Sequence, residues 1–371
     1  MQRVDDVGLA APPVTQPEPT GGGRVFDGVM VALCAWMQGG GFLDGWAHNH
    51  AKVDTSFFTP WHAVLYTGFL AVAGWVVGTL MHNVARGNAW RRALPPGYHL
   101  SFVGTVVFAA GGLADFLWHR LFGIEQSLEA LYSPSHLTLA VGSALIMSGP
   151  FRAAWKRRDR ASTPGWRQLW PMLLSLTFTL SGFTFSAQAL HPLVPLRRAM
   201  AFSRADDMLF YLQALTIASV LIQTELKIGI ILLALRRWRL PPGSITLVFT
   251  LNGLLMCTLD PHDDYGLMLP VTLPGLVADG LLVPLQPSPR RPWTFRLFAF
   301  VVPVVFYLCY FVALRLMKGM WWSVHLWTGA IVLAGLVGWL LSYLILPPQE
   351  PPEESSGCPS TTTPSAKAQI S

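Results

Sequence analysis

Residues 60–82 read PWHAVLYTGFLAVAGWVVGTLMH, and no Asp, Glu, Lys or Arg interrupts them. About 20 consecutive apolar residues form a helix long enough to cross the hydrocarbon of a bilayer. Lipid offers no partner for a free backbone group, so such a stretch has to be helical. Its start is also marked: Thr59 precedes Pro60, a hydroxyl N-cap followed by proline at the first helical position.

Working outward, apolar segments recur at roughly 27–47, 60–82, 100–119, 134–151, 169–190, 210–235, 243–260, 265–286, 296–317 and 322–346. The composition agrees: 52% of the 371 residues are hydrophobic and 12% charged, with mean hydropathy +0.43. A soluble domain carries about 25% charged residues. A soluble enzyme, a nucleic-acid-binding domain and a disulfide scaffold are therefore excluded. The expected fold is an all-α integral membrane protein of about ten transmembrane helices, built from repeated helical hairpins. Residues 1–23 and 347–371, rich in Pro with Gly or with Glu, Ser and Thr, read as disordered cytoplasmic ends around a membrane domain at 24–346. Cys34, Cys257, Cys309 and Cys358 are scattered and form no thiolate metal motif.

The formal net charge of +6 is a statement about topology. Of the 26 Lys and Arg residues, 18 fall in the terminal arms and in the loops that follow even-numbered segments. Seven fall on the opposite side, and Lys227 lies within a segment. The positive-inside rule then puts both termini in the cytoplasm of a multi-pass protein of the plasma (bacterial inner) membrane. The loop holding Arg152, Lys156, Arg157, Arg158, Arg160 and Arg167 is the clearest cytoplasmic anchor. The basic residues face anionic lipid head groups, and no nucleic-acid partner is implied.

Histidine took no part in that tally, yet eight of the ten lie on the outer side: His48, His50, His62, His119, His136, His191, His262 and His325. A repeat organises them. Asp44-Gly-Trp-Ala-His48 ends the first segment and Asp115-Phe-Leu-Trp-His119 the third. A short loop follows each, then Thr59-Pro-Trp-His62 or Ser133-Pro-Ser-His136, with Gly68 and Gly142 at the same offset beyond. His191 and His262 continue the spacing, with Ala187 and Thr258 where the Asp would stand, as degenerate copies.

Asp and His four residues apart share one face of a helix. The Ser/Thr-Pro-x-His block starts the neighbouring helix and turns a second imidazole toward that face. Asp44, His48, His62, Asp115, His119 and His136 are thus candidate metal ligands, forming one site or two. Their nitrogen-rich set suits copper, zinc or iron rather than calcium or magnesium. The alternative is a polar lock, in which Asp–His hydrogen bonds pin neighbouring helices.

Residues 44–62 resemble the copper-site segment of the C subunit of particulate methane and ammonia monooxygenases. That family reads Asp-x3-His, five residues, then Asp-Thr-x-Phe-Thr-Pro-x-His. Here Asp44 and His48 lead to Asp54-Thr-Ser-Phe-Phe-Thr-Pro-Trp-His62, with one extra residue, Phe57 or Phe58. The resemblance implies copper ligation by Asp44, His48 and His62, within a small part of the chain.

His50, Asp54, His191, Asp260, His262, Asp264 and His325 are further outer-side candidates, as added ligands or supporting partners. Asp260-Pro-His-Asp-Asp264 reads either as a metal-loading vestibule or as a solvated loop. Glu125 and Glu129 are either partners of the histidines or an exposed pair. Asp279, Glu225 and Lys227 lie within segments and need partners; Glu225 and Lys227, two apart, do not share a helix face.

Three functions compete. The first is a copper-dependent membrane oxidoreductase of oxidase or monooxygenase type. With no nucleotide or flavin motif visible, it would draw electrons from a membrane donor or a partner subunit. The second is a metal-ion or proton transporter or sensor, and the third a zinc-dependent hydrolase acting on lipid. Crowding of the ionisable groups on one side disfavours transport. The sequence specifies no oligomeric state.

Overall fold

A computed structural model of the chain describes residues 23–52, 57–123, 128–157, 165–194, 208–262, 265–317 and 319–348. Its helices are α1 (Arg24–Asn49), α2 (Pro60–Ala85), α3 (His99–Phe122), α4 (Glu129–Tyr132), α5 (Pro134–Met147) and α6 (Gly149–Lys156). They continue with α7 (Trp166–Ser186), α8 (Met208–Arg237), α9 (Ser244–Cys257), α10 (Met268–Leu285), α11 (Pro292–Met317) and α12 (Val324–Ile345). Nine helical stretches among the described residues are long and apolar enough to span a membrane, with α5 and α6 forming one of them.

The expected tenth span is shorter than the sequence suggests. The apolar segment at 243–260 yields α9, a helix of 14 residues. At 1.5 Å per residue this is about 21 Å, short of a hydrocarbon core of about 30 Å. Pro241, Pro242 and Gly243, the last at φ +90°, fix its start, and Asp260-Pro261 closes the segment.

Antiparallel hairpins build the bundle, α1 with α2, α3 with α5, α9 with α10 and α11 with α12. One core forms around Met30, Val72, Val76, Phe108 and Ile146 of the first two hairpins. A second forms around Leu232, Phe249, Phe298, Tyr307 and Phe311 of α8 to α11. α7 joins them, giving Phe178 to the first and Leu180 to the second.

The first two hairpins repeat each other in packing as well as in sequence. A Cβ on Gly68 would stand 2.7 Å from the backbone of Met37, and one on Gly142 would stand 2.7 Å from the backbone of Phe108. Met37 and Phe108 hold equivalent places before Asp44 and Asp115. Gly40 against Leu65 and Gly111 against Leu139 are a second equivalent pair of contacts. Glycine lets the helices approach until their backbones touch, a common device between membrane helices. That contact sets the register in which the Asp of one helix meets the His of the next.

Buried polar groups at the opposite end of the hairpins are satisfied within the protein. Asp27 on α1 accepts a hydrogen bond from Tyr98 Oη at 2.6 Å and pairs with Arg157. Arg152 donates to Gly97 O, Leu145 O and Ser101 Oγ, at 3.0, 2.7 and 2.9 Å. Two residues of the basic anchor loop thus tie α1, α3, α5 and α6 together.

Asp279 finds its partner on the neighbouring helix. Its carboxylate accepts from Ile245 N at 3.1 Å, Thr246 N at 2.9 Å and Thr246 Oγ1 at 2.6 Å, capping the start of α9 from α10. A side-chain cap contributes typically about 1 kcal/mol and up to about 2. Asp279→Ala is expected to destabilise by about 2 kcal/mol, read by thermal unfolding in detergent, with Asp279→Asn less affected. An unchanged melting temperature in the alanine variant would contradict this role.

Candidate metal centres

The six residues of the repeat assemble as two groups of three, each spaced to hold a metal ion. Asp44, His48 and His62 form one, and Asp115, His119 and His136 the other, with the ligand atoms in each within 4.8 Å of one another. The sequence left one group or two open; the structure forms one group per hairpin. Both lie at the same end of the bundle, where α1 and α3 finish and α2 and α5 begin.

Local structure aims the side chains. Thr59 caps α2 by accepting from His62 N at 3.2 Å, and Ser133 caps α5 by accepting from His136 N at 3.4 Å. Proline follows in each case, so His62 and His136 are carried on a rigid first turn. His62 Nε2 lies 3.3 Å from Asp44 Oδ1. In the second group Asp115 Oδ1 is 3.6 Å from His119 Nε2 and 3.3 Å from His136 Nε2.

The other ring nitrogens are occupied from behind. His62 Nδ1 is 2.6 Å from the Phe57 carbonyl and His119 Nδ1 is 3.3 Å from the Gly123 carbonyl. A carbonyl only accepts, so Nδ1 carries the proton in both rings. Nε2 then turns a lone pair toward a carboxylate oxygen at 3.3–3.6 Å. Two acceptors facing each other require a positive centre between them, either a metal ion or a second proton on the imidazole. Ligating histidines are normally held from behind in this way. His136 Nδ1 is held by Ser133 Oγ at 2.8 Å.

The groups are not identical. Asp115 is 2% exposed and also accepts from Ser135 Oγ at 2.9 Å, whereas Asp44 is 18% exposed and Trp61 stands where the second hairpin has Ser135. Ser135 is a partner that the sequence reading passed over, because it occupies the variable position of Ser-Pro-x-His. The Phe57 and Gly123 carbonyls escaped it as well, since a backbone partner leaves no residue-type signature.

Phe57 also stands between the groups. Its ring centroid is 5.0 Å from that of His62, 5.4 Å from Phe116 and 6.2 Å from His119. A cleft of about 510 Å³ beside the second group is lined by Trp118, Phe122, Gly123, Leu128, Glu129, Tyr132 and Ser133. Glu129 lines this cleft, while Glu125 lies outside the described residues.

The remaining candidates do not join either group. His50 Nδ1 bonds Trp46 O at 2.8 Å and its ring stacks on Trp46. His262 is held by its own loop, with N and Nδ1 at 3.2 and 3.4 Å from Oδ1 of the buried Asp260. His325 is exposed at the start of α12. Asp54 and Asp264 lie outside the described residues.

His191 turns inward. It is fully buried, its Nδ1 accepts from Leu193 N at 3.2 Å, and its Nε2 lies 3.5 Å from Lys227 Nζ. Burial, with Lys227 beside it, holds its pKa well below the ordinary value of 6.5. The even spacing from His48 to His262 therefore reflects evenly built hairpins, and only the first two copies carry a complete Asp-His-His group. Among the described residues no other cluster of His, Cys, Asp and Glu has ligand spacing.

Compared with family models, curated proteins and solved structures, the chain matches none. The functional reading therefore rests on the geometry of the two groups.

Proposed function

We propose that the protein is an integral membrane metalloprotein with two Asp-His-His sites at its extracytoplasmic end, each selecting copper. One observation carries this reading. In each group a carboxylate oxygen and two imidazole nitrogens lie within 4.8 Å of one another, and Nδ1 of His62, His119 and His136 is already engaged from behind. Two nitrogens and one oxygen leave coordination positions open, and imidazole-rich sites favour copper over the other first-row divalent ions. The resemblance of residues 44–62 to the copper-site segment of the monooxygenase C subunits supports the same choice.

A copper ion held there would supply one-electron redox chemistry and open positions for a small oxidant. The chain's part is to fix the ligands, keep Nε2 unprotonated and shape the approach. Trp118, Phe122, Leu128 and Tyr132 give the cleft beside the second group an apolar wall, which suits a lipophilic or small uncharged substrate. On this reading the activity is that of an oxidase or monooxygenase fed by a membrane electron donor or partner subunit.

The test is elemental analysis and electron paramagnetic resonance on the purified full-length protein. Expected are bound copper and nitrogen hyperfine structure in the Cu(II) signal, both reduced in His48→Ala and in His119→Ala. Equal, negligible copper, zinc and iron in wild type and variants would remove the metal reading.

The 3.3–3.6 Å Asp–His distances favour a specific second reading, imidazolium–carboxylate locks between helices. These would leave the protein metal-free with its stability intact. A zinc-only site would redirect the proposal to hydrolysis, and metal uptake into proteoliposomes would redirect it to transport.

Ser133 offers a finer check. Outer partners of ligating histidines are worth about 10–100-fold in metal affinity. Ser133→Ala is expected to weaken the second site by that factor and leave the first unchanged, read by competitive metal titration. Equal weakening of both sites would contradict it.

A further inference from the structure

The middle of α8 carries two charged residues with opposite fates. Lys227 faces inward, 3.2 Å from Gln223 Oε1 and beside His191. Glu225, two positions away, projects from the other side of the helix and is exposed. Thr216, Ser219, Val220, Gln223, Lys227 and Ile231 make up the buried face against the bundle. The opposite face holds Leu215 and Glu225, both exposed, with Ala218 and Ile222 half-buried between them. A Cβ on Gly229, one turn beyond Glu225, would meet nothing within 4 Å.

Depth makes this exposure unusual. Glu225 lies twelve residues before Arg237, the basic end of a helix apolar enough to span the membrane. At 1.5 Å per residue that is about 18 Å, close to the middle of a hydrocarbon core about 30 Å thick. Among the described residues no hydrogen bond or ion pair engages Glu225. Carboxylates inside membranes nearly always face protein and pair, because lipid solvates them so poorly.

We propose that the Glu225 face of α8 is the contact between two copies of this chain, with the Glu225 carboxyls hydrogen-bonded to each other across a two-fold axis. Copies inserted in one orientation, related by an axis along the membrane normal, set identical residues at identical depth. A carboxyl is self-complementary there: a protonated one donates and its partner accepts. Among the described residues this face of α8 carries no cation, so a second copy's carboxyl is the partner that the two-fold axis supplies. Ala218 and Gly229, small and on the same face, let the two helices come close enough for the carboxyls to meet. This inference is independent of the metal reading.

The experiment is single-molecule subunit counting of the full-length protein, fluorescently labelled and reconstituted in phospholipid vesicles across a range of densities. Wild type is expected to be dimeric. Glu225→Gln keeps a donor and an acceptor and should hold the dissociation constant within about threefold, while Glu225→Leu should raise it at least about tenfold; a loss of 1.4 kcal/mol is tenfold. Gly229→Leu should do the same by holding the helices apart. Helicity and gel-filtration profile report whether each variant folds. If Glu225→Leu does not fold, Gly229→Cys with the native cysteines replaced by serine supplies the answer, since a dimer through this face cross-links at that position. The proposal falls if wild type is monomeric throughout or Glu225→Leu pairs as tightly as wild type. It falls equally if Gly229→Cys fails to cross-link or captures a different polypeptide.

Discussion

Asp115→Ala is expected to leave the second hairpin unable to hold a metal ion while the first still binds one. Asp115 Oδ1 is the point on which the second group converges: His119 Nε2 at 3.6 Å, His136 Nε2 at 3.3 Å and Ser135 Oγ at 2.9 Å. It is also the only anion of that group. Removing it takes away one of three ligands together with the charge that offsets the ion's own. Losing a partner that merely orients a ligand costs about 10–100-fold, so losing the ligand itself should cost at least about 100-fold. Bound metal should fall from two equivalents to one in Asp115→Ala, likewise in Asp44→Ala, and to none when both are replaced. Elemental analysis and competitive titration of the purified proteins read this directly. Full loading of Asp115→Ala would mean that the ion, if present, sits elsewhere.

Gly142→Val should produce the largest structural effect. A Cβ at Gly142 meets Phe108 N at 2.7 Å and Phe108 Cβ at 2.8 Å. Backbone atoms have no rotamer to escape into, so α3 and α5 must separate. Overpacking of this kind typically costs 1–3 kcal/mol, and contact with backbone puts this site at about 3 kcal/mol. The separation also carries His136 away from Asp115, so the variant should lose affinity at the second site and keep it at the first. Gly68→Val, whose Cβ meets Met37, should show the mirror pattern. Thermal unfolding in detergent with site-resolved metal titration checks both. Unchanged melting temperature in Gly142→Val would show that the hairpin does not depend on that close approach.

The helical hairpins and the six Asp and His residues at their ends were legible in the sequence because both depend on local order. An apolar run in lipid has one backbone solution, and Asp-x3-His on a helix is one face by arithmetic alone. Thr59-Pro60 and Ser133-Pro134 announced the next helix for the same reason. α9 was over-read, since its apolar stretch looked long enough and only the folded chain shows where the helix ends. His191 follows the end of α7, whose loop meets the end of α1 at Asn49 and Gln188, but its ring turns inward to Lys227, a direction that spacing along a chain does not give.

By itself, then, the sequence determined the all-helical class with its apolar, span-length helices, the hairpin repeat and which Asp and His residues stand at one end of it, all from periodicity and the chemistry of lipid. Only the tertiary structure decided that the six Asp and His residues divide into two groups, that Asp279 caps α9, and that Lys227 is sheltered while Glu225 is not. The first of those outcomes depends on backbone contacts between helices, at Gly68 on Met37 and Gly142 on Phe108, and on carbonyls such as that of Phe57. Every residue carries the same carbonyl, so residue type cannot announce the one that will hold a histidine. Contacts between helices depend on register, and register is settled only when the helices pack.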